Sequence, residues 1–414
     1  MIMLSKLKRF TIIDEKGERA KFTDLAVALL DSDYPVVNYL FYKTDKKIFQ
    51  LPWDAVRSID WRKQQITVFD LAQGTEVSLE PRNDCVLLRY EILDALLLDL
   101  QNHGAVRAND LQLEEADGKL LLKAADASLE GILRRLGLGL YTHTGKGGLY
   151  DWKYVEFLRG NPQAVKSGAG YHLRITRMSP GEIAQLANFV PYLHAAELLT
   201  LLPDPQAAKT LEVMPVERQR QVFEELEDEQ AARLLAIMAP DAAADLIGRL
   251  QTDSMKRFLE KLPREQSARV TELLRYPANT VGGIMTNDVV YLSVDLTIAE
   301  ARARFRERFG QTDFVYLIYV VSDEENRILR GMIPFRNLLV ADDSLKLEAI
   351  MNPYIAALSS TEDAIRAAYR VVSSQLAAMP VVGLNNKLLG AVTIDAAIMA
   401  ITPTGNSENL RIFS

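Results

Sequence analysis

The sequence is poor in the residues on which most redox and transition-metal chemistry depends. A single cysteine, Cys85, among 414 residues excludes an intrachain disulfide framework and every multi-cysteine zinc motif. Four histidines, His103, His143, His172 and His194, are scattered and never take a His-x-x-x-His spacing, which argues against a transition-metal enzyme. A basic excess is missing too: 48 Lys and Arg face 55 Asp and Glu, a formal charge of −7. That balance argues against nucleic acid or an anionic membrane as partner, and it leaves room for cations. Long apolar runs are also absent. The strongest, Phe314 to Val321, has eight residues, where a membrane helix needs about 18. The first residues, MIMLSKLKRF, become charged too early for a signal-peptide core. A cytoplasmic chain without membrane insertion is expected. Its composition, 48% apolar and 25% charged, is ordinary for globular proteins, and its length fits about three domains.

What is present reads as a multidomain α+β chain. From residue 4 to about 136, short β-branched and aromatic runs alternate with polar turns: TIID then EKGER, PVVNYLFY then KTDKK, IFQLPW, ITVFDLA then QGTE. A second such stretch holds ILDALLLDL and AVRANDLQLEEADGKLLLKAAD, with natural hairpin turns at Asn102-His103-Gly104 and Ala116-Asp117-Gly118. Two small antiparallel barrels are expected, over 1–82 and 83–136. Leu51-Pro52-Trp53 and the pattern Leu93-Asp94, Asp99, Arg107-Ala108-Asn109-Asp110 make these stretches resemble tandem PRC-barrel domains. Residues 137–177 are rich in Gly, Tyr and Lys and read as a connector with some helix at 151–158. Gly139 to Lys146 fails as a phosphate loop: five residues separate its glycines, and Gly147 stands where Ser or Thr must hold Mg²⁺.

From 178 to 275 the chain repeats every twelve residues. Met178, Val190, Leu202, Met214, Leu226, Met238, Leu250, Leu262 and Leu274 occupy one unbroken grid, mostly with Pro or an acid within two residues. A second grid of small residues runs through Ala196, Ala208, Ala232, Ala244 and Ala268, broken by Arg220 and Lys256. Each unit reads as a helix of about nine residues, ended by a turn whose Pro starts the next. A helix only about 14 Å long is unstable alone, so its apolar stripe must stack on its neighbours. The predicted architecture is an α-solenoid.

The last part, 276–401, is duplicated. Gly283-Ile284-Met285-Thr286 is echoed by Ala349-Ile350-Met351-Asn352. Each is followed by a strand, a helix with a predicted capping box (Thr297 with Glu300; Ser360 with Asp363), two hairpin strands and a last helix. This β-α-β-β-α repeat resembles a tandem pair of cystathionine-β-synthase-type (CBS) domains, over 276–345 and 346–401, with a tail at 402–414. The solenoid passes through Tyr276-Pro-Ala-Asn-Thr-Val-Gly-Gly-Ile-Met-Thr286 directly into the pair. That junction, the YLIYVV strand, Gly331 and VADD…IMNP make 178–401 resemble the cytosolic portion of MgtE-type magnesium transporters.

The resemblance implies a sensor in which Mg²⁺ screens acidic surfaces of solenoid and CBS pair and favours a compact homodimer joined through the CBS pair. It implies a membrane cation transporter as client, here on a separate chain. Mg²⁺ keeps several waters and takes one or two carboxylates per site, so facing acids are the candidates. The solenoid offers Glu224, Glu225, Glu227 and Asp228, and Asp241 with Asp245 one turn apart. Between Met178 and Arg275 stand 16 acids and 11 bases, so −5 of the −7 lies there. In the CBS pair, Asp342-Asp343 and Glu362-Asp363 are candidates, and the resemblance adds the Gly282-Gly283 backbone. The rival reading is a solvated acidic face, with acids in first helical turns favoured by the helix dipole.

CBS pairs often bind adenine nucleotides with a Ser or Thr and, three residues on, an Asp. Here those places hold Pro334 and Asn337, then Thr393 and Ala396, with Asp395 one place early. Proline supplies neither hydroxyl nor N–H, and alanine cannot bind a ribose, so only a partial site at Thr393 and Asp395 remains. A ligand-independent scaffold is the third reading. Elsewhere His194 reads as a helix-surface residue, and Trp53 and Trp61 read as barrel core. Cys85 has no nearby His, and no nucleophile, base and orienter set is found, so no enzyme is expected.

Overall fold

The structure, a computed structural model, describes residues 2–28, 32–80, 82, 85–116, 118–135, 148–158, 173–309 and 316–402. The phosphate-loop stretch and the tail beyond 402 lie outside these residues. The chain divides into two compact units, Met1–Met214 with Gln221–Leu226, and Pro215–Arg220 with Glu227–Ser414.

The first unit opens with β1 (Ile2–Met3) and α1 (Leu4–Leu7), then an eight-stranded sheet. Its strands are β2 (Thr11–Asp14), β3 (Arg19–Val27), β4 (Val37–Thr44), β5 (Lys47–Pro52), β6 (Val56–Asp60), β7 (Gln65–Val68), β8 (Thr75–Glu76) and β9 (Val86–Leu87). They pair in the order β6-β7-β2-β3-β4-β5-β8, with β9 on β3, and β6 and β8 stand at the two ends. Alternation of buried and exposed residues, as in Ile12 and Asp14 of β2, turns one face onto a core holding Leu25, Leu40, Leu51 and Ile66. Trp53 and Trp61 pack against that core, as their place in the sequence suggested. One pair, β2 with β7, is parallel, a departure from the antiparallel expectation.

Two further sheets follow. β10 (Leu96–Asp99) and β11 (Gly104–Arg107) form the hairpin read at Asn102-His103-Gly104, with His103 at φ 50°. β12 (Asp110–Ala116) and β13 (Lys119–Asp126) form the other, with Gly118 at φ 73°. β1 pairs with β12, so the first residues of the chain belong to this later sheet. The helix read at 151–158 is present only as one 3₁₀ turn, Trp152–Tyr154, between β14 (Leu149–Asp151), which joins β13, and β15 (Val155–Phe157), which joins β10. Val155 and Phe157 are buried against the core, which a β-branched and aromatic pair on a pleated strand does readily. α2 (Leu129–Arg135) closes this region.

Asp24, wholly buried in β3, accepts N–H bonds from Leu25 (2.7 Å), Arg89 (2.9 Å) and Tyr90 (3.1 Å), tying β3 to the chain beyond β9. Burial pushes its carboxyl up to about 7, against the pull of those donors. A folded pKa above the unfolded one means that the native state binds the extra proton, so stability falls as pH rises towards 7. Relative to Asp24→Asn, the wild type is expected to gain roughly 2–3 kcal/mol between pH 8 and pH 5. Urea unfolding of both proteins at the two pH values checks this; a pH-independent difference contradicts it.

The twelve-residue period is a run of short helices of four to ten residues: α3 (Leu173–Thr176), α4 (Pro180–Asn188), α5 (Tyr192–Thr200), α6 (Asp204–Glu212), α7 (Val216–Glu224), α8 (Asp228–Ile237), α9 (Pro240–Ile247), α10 (Thr252–Lys261) and α11 (Arg264–Leu273). Pro191, Pro203 and Pro263 are N-caps, and Pro180 and Pro240 are first helical residues. Most of the large-residue grid is buried, including Val190, Leu202, Met214, Leu226, Met238 and Leu262. The small-residue grid is buried at Ala196, Ala208 and Ala244, half-buried at Ala232 and exposed at Ala268, and the alanines one place earlier, Ala195, Ala207, Ala231 and Ala243, are wholly buried beside it. His194 is half-buried in α5, and its Nδ1 is enclosed without a hydrogen-bond partner, so the surface reading is corrected.

The second unit ends in two similar sheets. The first has β16 (Tyr291–Ser293), β17 (Leu317–Val321) and β18 (Leu329–Pro334), with α13 (Ile298–Arg308) and α14 (Phe335–Val340). The second has β19 (Leu358–Ser359), β20 (Ala378–Val382) and β21 (Leu388–Thr393), with α16 (Ala364–Ser374) and α17 (Ile394–Ile401). Short helices α12 (Val281–Ile284) and α15 (Leu347–Ile350) precede the copies. The capping box at Thr297 and Glu300 is present. The one read at Ser360 is not: Asp363 itself is the N-cap, accepting from Arg366 N. A carboxylate already in reach of the free N–H groups makes the hydroxyl unnecessary.

Candidate functional site

The two copies exchange their leading segments. Thr286 and Ala391 trade backbone hydrogen bonds of 2.9 Å, and Asn352 and Met332 trade bonds of 2.9 and 3.0 Å. Ala364 N donates to Asn279 O (3.0 Å), and Ile298 N donates to Leu345 O (2.8 Å). Each segment before a copy therefore packs on the start of the other copy's first long helix. Every candidate in the CBS pair sits along these two seams or at the last strand ends.

Seam one gathers Gly282, Gly283, Glu362 and Asp363. Val281 N donates to Glu362 O (2.8 Å) and Gly282 N to Ser360 O (2.9 Å). The glycines are there for close approach: a Cβ on Gly282 would lie 2.2 Å from the Tyr276 ring, and one on Gly283 would lie 2.3 Å from Pro277 O. Glu362 forms an ion pair with Arg370 (2.8 Å), and Asp363 caps α16. Seam two carries Asp342 and Asp343. Asp342 accepts from Ser344 N (2.9 Å) and Oγ (2.6 Å), which hold its carboxyl below the usual range. Asp343 pairs with Arg302, whose other N–H groups take the carbonyls of Leu338, Leu339 and Ala341 at the end of α14.

In the solenoid, Glu224 and Glu225 are exposed at the end of α7, and Glu227 is the exposed N-cap of α8. Asp228 is held by two bases of α10, Arg257 (3.3 Å) and Lys261 (3.2 Å). Asp241 lies in the first turn of α9, and Asp245, exposed one turn on, stands 4.0 Å from Arg249. Among the described residues no three His, Cys, Asp or Glu converge as a metal-ligating group. Any cation would therefore be held by one or two carboxylates and its own waters, as Mg²⁺ accepts. The bases Arg257, Lys261, Arg302 and Arg370 were missed by sequence reading. Their spacings from the acids range from 8 to 41 residues, and only a two-turn spacing such as Glu362 to Arg370 leaves a local signal.

At the nucleotide positions, Pro334 is the N-cap of α14 and Asn337 lies within it. Thr393 caps α17, its Oγ accepting from Ala396 N (3.1 Å), and Asp395 is in the first turn. The hydroxyl hydrogen of Thr393 is thus not consumed by the cap.

Residues 178–279 match the family model of the MgtE intracellular N domain, and 281–344 and 347–402 match that of the CBS domain. The magnesium transporter MgtE of Enterococcus faecalis is 30% identical over 144 residues, covering 35% of this chain and 31% of that protein. The Thermus thermophilus MgtE is 33% identical over 128 residues, covering 31% and 28%. The matched stretches thus span less than a third of those relatives. A crystal structure of the cytosolic domain of the Mg²⁺ channel MgtE in complex with ATP is similar at 26% identity and a TM-score of 0.53, covering 58% of this chain and 96% of that one. The soluble part of a magnesium transporter is similar at 26% identity and TM-score 0.52, covering 58% and 92%. No described helix is long and apolar enough to cross a membrane. Residues 178–402 therefore form an MgtE N domain followed by a CBS pair, homologous to the cytosolic domain of MgtE transporters.

Proposed function

We propose that this chain is a cytoplasmic regulatory protein that senses Mg²⁺ or another divalent cation and controls a separately encoded cation transporter. The carrying observation is that the likeness spans 96% of the MgtE cytosolic domain solved with ATP. The candidate acids Asp228, Asp343 and Glu362 are already balanced by bases, so the cation acts by exchange. Mg²⁺ at one of these carboxylates takes the place of Lys261 and Arg257, Arg302 or Arg370 and screens the surrounding acids, so that the protein becomes more compact. Glu224, Glu225, Glu227, Asp241, Asp245, Asp342, Asp363 and the Gly282-Gly283 backbone supply the surrounding negative potential and outer-sphere contacts. The protein works as a homodimer through its CBS pair, where α14, α16 and α17 present Leu339, Val340, Ile365, Tyr369, Ile398 and Met399 to solvent. No catalysis is assigned to it.

Isothermal titration of the full chain with MgCl₂ tests the exchange. Binding in the millimolar range is expected. Asp343→Asn and Glu362→Gln together should weaken it several-fold, as expected when direct carboxylate ligands are lost. No uptake at millimolar Mg²⁺, or binding indifferent to these substitutions, contradicts the reading. A second reading, response to an adenine nucleotide, rests on the free hydroxyl hydrogen of Thr393 beside Asp395. It predicts a thermal shift with ATP or AMP that Thr393→Val removes. If neither ligand shifts stability, the chain is a ligand-independent scaffold.

A further inference from the structure

A solenoid of short helices leaves an apolar layer bare at each end, and repeat proteins close such ends with a dissimilar element. The first full repeat here is α4, with Ile183, Ala184, Leu186 and Ala187 buried. Three sets of contacts, all within Met1–Met214, lead from it to the N-terminal sheets. First, Arg174 of α3 joins two of them: Nη1 donates to the carbonyls of Trp152 (2.9 Å) and Val155 (3.2 Å), and Nη2 to Ser32 (2.5 Å). Val155 opens β15, which pairs with β10, whereas Ser32 precedes β4 of the eight-stranded sheet.

Second, Gln206 of α6 grips α3 from the other side, Nε2 donating to Thr176 O (3.0 Å) and Met178 O (2.8 Å). Gln266 of α11 makes the same double contact with Leu235 O (3.2 Å) and Met238 O (2.8 Å) at the end of α8. Both glutamines reach a twelve-residue grid position 28 residues back. The short α3 is therefore held as a solenoid helix is held, and its Ile175 is wholly buried. Third, α4 packs on β11, and His103 in the β10–β11 turn stands 3.9 Å from Glu182 in the first turn of α4.

We propose that the N-terminal sheets are the solenoid's N-terminal cap, fused to it through α3, so that sheets and first repeats open and move as one body. Any partner that grips the sheets then acts directly on the end of the solenoid, and the sheets are not a tethered appendage. Hydrogen exchange of the full chain tests this. Arg174→Met is expected to speed amide exchange about tenfold both in β15 and in α4 to α6, with α9 to α11 unchanged, as for one cooperative unit. Gln206→Leu, which leaves Arg174 in place, should carry the same loosening back into β15. Faster exchange confined to the mutated side in either variant overturns the proposal. If Arg174→Met does not fold, the Gln206→Leu protein alone decides.

Discussion

Arg134→Met is expected to cost about 3–5 kcal/mol in the first unit. Arg134 reaches in from α2 and pairs with Asp126 and, at 3.4 Å, with Asp110; the three side chains are 13%, 7% and 0% exposed. Asp110 also accepts Ser5 N (3.1 Å), Ser5 Oγ (2.6 Å) and Leu111 N (2.9 Å), so one carboxylate fastens α1, β12 and α2 together. Burial raises the Asp110 carboxyl above its ordinary value, and Arg134 is among the groups opposing that. Without the guanidinium, two buried carboxylates are left uncompensated, which costs far more than the pair contributes when intact. Arg134→Met combined with Asp110→Asn and Asp126→Asn should therefore be less damaging than the single change. Urea unfolding followed by circular dichroism measures both. A loss below about 1 kcal/mol for Arg134→Met would show that the network adds nothing beyond an exposed ion pair.

Gly283→Ala is the second large effect. The new Cβ would lie 2.3 Å from Pro277 O and 2.8 Å from Ala278 Cα, both backbone atoms that cannot swing aside. Relief requires moving the 277–283 turn, which Val281, Gly282 and Asn279 hydrogen-bond to the start of α16. An overpacking cost of about 3 kcal/mol or more is expected, seen as a lower urea midpoint for the CBS pair. Gly181→Ala is the control: its Cβ meets nothing within 4 Å, and the helical site should gain up to about 1 kcal/mol. Equal effects at the two glycines would contradict the steric account of the junction.

The solenoid and the CBS pair were legible because their order is local. A helix and its turn recur every twelve residues, so Leu186, Leu198, Leu234 and Leu246 return to the same buried place without reference to the rest of the chain. The small-residue grid holds at Ala196, Ala208 and Ala244, but the deeper burial of Ala195, Ala207 and Ala243 beside them shows only in the packing. Ser5 with Asp110, 105 residues apart, was beyond any periodic signal. So was the strand at Val155, whose partner β10 lies more than 50 residues earlier. At the candidate site the acids could be read from sequence, but the bases opposite them could not. Lys261 meets Asp228 across 33 residues and Arg302 meets Asp343 across 41. That omission bears on the proposed chemistry: Asp228, Asp343 and Glu362 are already paired with bases, so a cation there must displace a base.

Small-angle X-ray scattering of the full chain, with and without millimolar Mg²⁺, tests the central claim most directly. The account predicts a smaller radius of gyration with Mg²⁺, at constant dimer mass. Asp228→Asn, Asp343→Asn and Glu362→Gln together should abolish that change. An unchanged radius of gyration across the Mg²⁺ titration, with the protein folded throughout, would contradict a cation sensor.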